Sequence, residues 1–376
     1  MSDSATPAEI HPDLEVAGFG ERLLAIIDEG RRTSTYKLAL LIALTDYCAE
    51  AGVTSNKAIS VGTRVVADHV ARLYWPQVRP FATPSGVVDL RQITNKSAAI
   101  LSALADLRHQ TPKSSTWEAA RSSRPELCSK ALDQIELTVA RYPILRLQVI
   151  DGVSQPFIYD VEWAESVGLT HLHSLGDQAI HFRPGAAQQL VRLTPLIRPL
   201  VETHWMRMVA ELNHITAIED DLRRHLFGAE RTAFPALLRS GLEELQSGDC
   251  FYCRKSVQAD KSAIDHFIPW ARWPNDAVEN LVLAHPQCNG HKSNRIPGPA
   301  PLRKWSQRLN TQRIEMRRLA VNSKWSSSAD RTLSLALSLY ANLPSGTPLW
   351  NQPGDIVTAS TSKMLGILRG AATQSD

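Results

Sequence analysis

Cys250-Phe-Tyr-Cys253, then Ile264-Asp265-His266-Phe-Ile-Pro269, then Asn280-Leu281, then His285-Pro-Gln-Cys288-Asn289-Gly-His291-Lys292: these four pieces decide how the chain is read. The first has C-x2-C spacing and the last has H-x2-C. Together they offer a Cys3His tetrahedral set, the donor pattern of a closed structural Zn2+ site. Thirty-one residues separate the two pairs, so a metal held by both would tie together the ends of the segment between them. Cysteines that merely fill a core have no reason to fall into two such pairs. A structural site, in turn, has no need of the Asp-His step or the two asparagines.

Ser262 to Phe267 reads as a short strand ending on Asp265-His266. Leu281 to Leu283 reads as a second strand with Asn280 before it, and Asn289 opens a helix after Cys288. In this order the residues resemble the HNH family of nucleases, whose catalytic unit is two strands and a helix around a divalent metal. The resemblance covers about Asp249 to Arg308 and implies a role for each residue. His266 is the general base that takes a proton from the attacking water, a task suited to an imidazole that titrates near neutral pH. Asp265 and Asn289 hold one catalytic divalent ion, and oxygen donors of this kind suit Mg2+ or Mn2+. Asn280 hydrogen-bonds across the loop and keeps His266 oriented, where a turn asparagine would need no fixed offset from the metal pair. Lys292 matches a basic residue of the family that touches phosphate. For His291 three places stay open: supplementing the metal, contacting DNA or facing solvent. Many HNH proteins use four cysteines, so His285 departs from them in ligand type, though imidazole is an ordinary zinc ligand.

The resemblance implies a metal-dependent endonuclease leaving 5′-phosphate and 3′-hydroxyl ends, with structural zinc and DNA as its partner. A zinc-stapled nucleic-acid-binding module without cleavage is the reading of another class. It would keep the Cys/His ligands but have no use for Asp265, His266 and Asn289. RNA is not excluded as substrate, because base and metal act on the phosphodiester common to both. Restriction or defence against foreign DNA is the expected role, ahead of repair or mobile-element activity. A homodimer or defence-system partner proteins stay open.

Charge supports a phosphate-binding region. The chain carries +3 overall, yet Cys250 to Ser326 holds 13 Lys/Arg against 5 Asp/Glu, which leaves the remainder negative. Arg295, Arg303, Lys304 and Arg308 are the candidates, with Lys292, for a groove along a nucleic-acid backbone. A solvated basic helical face gives the same count. Phe267, Trp270 and Trp305 either pack the small catalytic unit or stack on bases.

The 376 residues, 43% of them hydrophobic, suffice for two or three cored domains. No apolar run reaches the 18 or so residues of a membrane span. The N-terminus lacks the basic and apolar regions of a secretory signal, so the cytoplasm is the expected compartment. Five cysteines, an odd count, argue against a disulfide framework. Cys48 and Cys128 are expected as buried small hydrophobes.

The expected fold class is α+β. A loose tail over 1–17 precedes a mainly helical recognition or scaffold region with short strands over 18–246. A zinc-stapled ββα HNH domain follows over 247–300, then a basic helical extension over 301–345 and a poorly patterned 346–376. Tyr36 to Trp75 forms two helices, either a DNA-reading unit or a scaffold. Gln110 to Arg124, rich in Ser, Thr, Pro and charge, reads as a loop. Asp151-Gly152 reads as a turn between strands at Leu145 to Asp151 and Pro156 to Trp163. Ala179 to Phe182 is expected to add a strand, and Leu302 to Ala320 a single basic helix. No phosphate loop or dinucleotide fingerprint is present.

Overall fold

The computed structural model describes residues 12–28, 33–84, 86–94, 98–111, 116–215, 219–228 and 234–372. The chain is α+β and about 59% helical, its strands short and gathered into small separate sheets.

The helical region is built around Tyr36–Glu50, whose Leu38, Ala39, Leu40, Leu41 and Leu44 are wholly buried. Apolar residues on every side make this a core helix. The helices Thr63–Tyr74, Ala186–Leu212 and Ala329–Ala341 pack around it. Each fully buried leucine contributes roughly 1.5–3 kcal/mol relative to exposure. Cys48 and Cys128 are buried as expected.

Several expectations change. Residues 1–11 of the expected tail lie outside the described residues, but Pro12–Asp28 is a helix. Within the Gln110 to Arg124 stretch, 112–115 lie outside the described residues and Trp117–Ser123 is helical. Thr116 caps that helix by accepting from Ala119 N at 3.1 Å, and Trp117 is buried. The Asp151-Gly152 turn exists, with φ of 51° and 80°, but it joins only Val149–Ile150 to Val153–Ser154. Tyr159–Asp160 instead pairs with Ile180–Phe182, which also takes Ser60–Val61. The expected Leu302 to Ala320 helix breaks at Gln312, giving Pro299–Thr311 and Arg313–Ser323. There the Gln312 side-chain amide donates to Leu245 O at 2.8 Å, a tertiary anchor that local sequence does not announce.

The segment from Gly346, poorly patterned in sequence, forms a hairpin, Leu349–Gln352 with Asp355–Val357, and a helix, Thr361–Ala372. The hairpin pairs with the segment after Lys292: Trp350 N donates to Ile296 O at 2.9 Å and Gly298 N to Trp350 O at 2.6 Å. The Ala329–Ala341 helix joins the two halves of the molecule. On one side Arg331 pairs with Glu50 at 2.6 Å and Ser338 Oγ donates to Ala49 O at 2.7 Å. On the other, Thr332 Oγ1 accepts from Asn275 Nδ2 at 3.0 Å. Among the described residues no helix is long and apolar enough to cross a membrane.

Candidate active site

Ala263–His266 runs antiparallel to Leu281–Ala284, with Asp265 opposite Val282 and His266 opposite Leu281; Pro286–Lys292 then forms the helix. Leu281, Val282, Leu283 and Ala284 are all fully buried, so the second strand is a continuous apolar run packed on both faces. The Gln246 side chain extends this small sheet. Its amide accepts from Leu283 N and donates to Leu283 O, both at 2.8 Å.

The Cys250–Cys253 turn folds back on itself. Cys250 N donates to Lys255 O at 2.9 Å and Arg254 adopts φ of 60°. Phe251 N donates to Leu283 O at 2.9 Å, which docks the turn on the second strand. Ligand atoms of Cys250, Cys253, His285 and Cys288 all lie within 4.8 Å of one another, close enough for one tetrahedral ion. His285 Nε2 is 3.1 Å from Ser256 O, and Nδ1 is 3.3 Å from Cys253 Sγ. Donation from Nε2 to the carbonyl leaves the Nδ1 lone pair for a metal. Burial raises the Cys250 thiol, but N–H groups of Cys253, His285 and Tyr252 pull it down, to about 7 overall. Burial and the neighbouring Cys250 push Cys288 up to about 12. Ionising all three sulfurs so close together is costly without a cation to neutralise them, so the donor set fits Zn2+.

Asp265 and Lys292 form the buried centre of the ββα unit. Lys292 has no exposed surface, its Nζ lies 3.0 Å from Asp265 Oδ2, and it donates to His266 O at 2.7 Å. Tyr252 Oη donates to the same Asp265 oxygen at 2.5 Å. Burial lowers the Lys292 pKa, and the Asp265 charge opposes that shift. Lys292 therefore does not stand on the surface where a phosphate contact was expected. Burial of a lysine on this scale requires a partner, and Asp265 is that partner. Asp265 Oδ1 takes no hydrogen bond among the described residues, which leaves one oxygen for a divalent ion. Asn289 is half-buried and without a side-chain hydrogen bond among the described residues. It lies three residues before Lys292, on the same helix face, so the oxygen donors expected for a catalytic ion fit the site. His291 is exposed and, at 100° per residue, stands on another side of the helix. That place suits solvent or substrate better than metal.

Asn280 is fully buried and crosses the loop as expected. Its Oδ1 accepts from Ile268 N at 2.8 Å, and its Nδ2 donates to Ile268 O at 3.1 Å and Asn275 O at 2.9 Å. Its own carbonyl accepts from Phe267 N at 2.7 Å. It thus fixes the backbone that follows His266, at Phe267, Ile268 and Asn275, without touching the imidazole.

The imidazole has a different partner: His266 Nε2 is 2.7 Å from Asp276 Oδ1. The rings of Trp270 and Phe234 stand 5.2 Å and 6.3 Å from it. Asp276 was missed in sequence, since nothing in the spacing of a loop carboxylate ten residues on marks it. Trp305 belongs to the core, stacked on Phe267 at 4.7 Å with its Nε1 donating to Glu279 O.

The basic candidates divide. Arg308 is buried, donating to Val278 O at 3.2 Å and Leu281 O at 2.9 Å, and burial lowers its pKa to about 10. Lys304 donates to Phe251 O and lies over the Phe251 ring, braced behind the cysteine turn. Both were expected on a substrate-facing surface. Both turn inward onto backbone carbonyls around the small sheet. Arg295 and Arg303 are exposed. Arg295, with Arg272, Ser293, Asn294 and Thr347, lines a depression of about 350 Å³ beside the helix.

Two family models match the chain. Residues 17–225 match a domain of unknown function (DUF8808), and residues 250–298 match an HNH endonuclease family. No curated protein and no solved structure gives a significant match.

Proposed function

Since the chain belongs to the DUF8808 family and carries an HNH endonuclease module, we infer that it is a metal-dependent nuclease acting on DNA. The observation that carries this reading is His266 placed beside Asp265 at the edge of the ββα unit, with its imidazole held on Asp276. His266 takes a proton from a water molecule. The water oxygen forms a bond to phosphorus, the P–O3′ bond breaks and the leaving O3′ takes a proton from solvent water, giving 5′-phosphate and 3′-hydroxyl ends. Asp265 and Asn289 would hold Mg2+ or Mn2+, which supplies charge stabilisation at the phosphate and the leaving oxygen. Cys250, Cys253, His285 and Cys288 would hold Zn2+ and keep the turn, strand and helix together. Arg272 and Arg295, which line the same depression beside the helix, offer guanidinium groups for charge-assisted contacts to phosphate. Defence against foreign DNA is the role we assign to the activity.

A second reading is favoured by one observation, the pairing of Asp265 with Lys292 and Tyr252. A carboxylate already neutralised suits a zinc-stapled nucleic-acid-binding module that does not cut. Cleavage of plasmid and phage genomic DNA by the full chain with Mg2+ or Mn2+, beside His266→Ala, separates the two. Cutting by wild type that the variant loses supports the nuclease. Binding without cutting by either protein, across modified and unmodified DNA and RNA, puts the binding module ahead.

A further inference from the structure

We propose that Asp276 is the positioning residue of His266, fixing the imidazole with Nε2–H toward its carboxylate so that Nδ1 is the basic nitrogen. The proposal rests on the nuclease reading for its catalytic consequence, but its geometry stands apart from that reading.

The 2.7 Å separation of His266 Nε2 and Asp276 Oδ1 is that of a strong hydrogen bond. An ionised carboxylate only accepts, so Nε2 carries the proton. Nδ1 is then the nitrogen with a free lone pair. Among the described residues no Lys or Arg pairs with Asp276, so no cation draws its carboxylate away from the imidazole. A base held by a carboxylate keeps one tautomer and one orientation, as in other acid–base constellations.

The loop carrying Asp276 is not left to hold its own position. Trp325 Nε1 donates to Asp276 O at 2.6 Å. Val278 N donates to Ser326 O at 3.0 Å. The buried Glu279 accepts from Ser327 Oγ at 2.6 Å and Ser328 N at 3.0 Å. Asn275 reaches Thr332 at 3.0 Å. All of these anchors lie between Trp325 and Thr332, beyond the residues 250–298 matched by the HNH family. The orienting carboxylate is therefore set by a segment belonging to this chain's own architecture. That Trp325 is aromatic and donates to a main-chain carbonyl matters here, because the contact fixes the Asp276 backbone and leaves its carboxylate free for His266.

The test uses the full chain as wild type, Asp276→Ala, Asp276→Asn and His266→Ala, all checked for an unchanged unfolding transition. Steady-state cleavage of plasmid DNA is measured with Mn2+, and 15N-histidine NMR is recorded at fixed pH in the absence of divalent ions. The His266 signal is the one missing from His266→Ala. The expected result is a kcat lower by about 10- to 100-fold in Asp276→Ala at unchanged KM, the usual cost of losing an orienting partner. With it, a wild-type His266 protonated on Nε2 becomes a tautomer mixture in the variant. If Asp276→Ala fails to fold, Asp276→Asn carries the kcat comparison, because it removes the carboxylate charge while its amide oxygen can still accept from Nε2. Undiminished kcat in the variants, a wild-type Nδ1–H tautomer, or a tautomer indifferent to residue 276 overturns the proposal. If wild type cuts nothing, the nuclease reading fails, and the tautomer comparison still decides whether Asp276 positions His266.

Discussion

Lys292 shows how far a residue's type can mislead about its place. A lysine after a metal-site helix reads as a phosphate contact, yet this one is entirely buried against Asp265 and the His266 carbonyl. Lys292→Met removes the cation and leaves a buried carboxylate held by Tyr252 alone. The expected cost is about 3–5 kcal/mol, measured by urea unfolding. The double variant with Asp265→Asn is expected to lose less than the two single losses together. Sequence spacing pointed to residues that the structure gathers in one place, the Cys250, Cys253, His285 and Cys288 set and the paired strands that carry Asp265 and His266. It did not reveal Asp276, or that Lys304 and Arg308 turn inward, because each finds its partner through tertiary proximity. At the same scale, His266→Ala is expected to cut cleavage by at least about 10²-fold with the unfolding midpoint unchanged, measured by plasmid nicking and thermal melting.

Helix contacts give the next level. The Ala236–Leu245 helix approaches Arg313–Ser323 so closely that a Cβ on Gly241 would lie 2.1 Å from Leu319 Cδ1. Gly241→Ala is therefore expected to destabilise by about 1–3 kcal/mol through overpacking, despite the better helix propensity of alanine. Combining it with Leu319→Ala should recover part of the loss in the same unfolding assay. A second prediction concerns His69, in the Thr63–Tyr74 helix against Glu50. Burial first, and Arg72 next, lower its pKa to about 3. The folded value lies below the unfolded value of about 6.5, so the unfolded chain binds the extra proton between them. The stabilisation from neutral His69 is full above about pH 6.5 and is lost as pH falls toward 3. Wild type should lose more stability between pH 7 and pH 4 than His69→Asn does, read from urea midpoints at each pH. At this scale the long periodic helices were legible from apolar spacing. The Trp117–Ser123 helix and the Leu349–Gln352 hairpin were not, because each is short and takes its order from what it packs against.

The whole molecule is held together at the cysteine–histidine cluster and at the Ala329–Ala341 helix. The cluster brings the Cys250–Cys253 turn against the start of the Pro286–Lys292 helix, with Phe251 packed on Phe267 at 5.8 Å and Lys304 braced behind it. Stripping the metal with a strong chelator should lower the melting temperature and abolish cleavage. Zn2+, and not Mg2+ alone, should restore both, with close to one zinc per chain by metal analysis. A chain with no bound zinc and an unchanged melt would remove the cluster from the account. The Ala329–Ala341 helix touches the core helix Tyr36–Glu50 through Arg331 and Ser338, and the Asp276 loop through Thr332. That contiguity had no signature in the sequence, where the two regions lie far apart.

The seat of Trp350 has a consequence for how the protein is made. Its ring stands 5.0 Å from Tyr252, the residue that donates to Asp265, and its backbone pairs with Ile296 and Gly298. On the ribosome, Asp265, His266 and Asn289 emerge well before Trp325 and Trp350. A nascent chain that has just delivered Lys292 carries Asp265, His266 and Asn289 without the segments that pack around them. Translation order thus delays the assembled site until the downstream segments have been delivered and folded back. Synthesis stalled shortly after Lys292 should yield chains that fail to cut DNA.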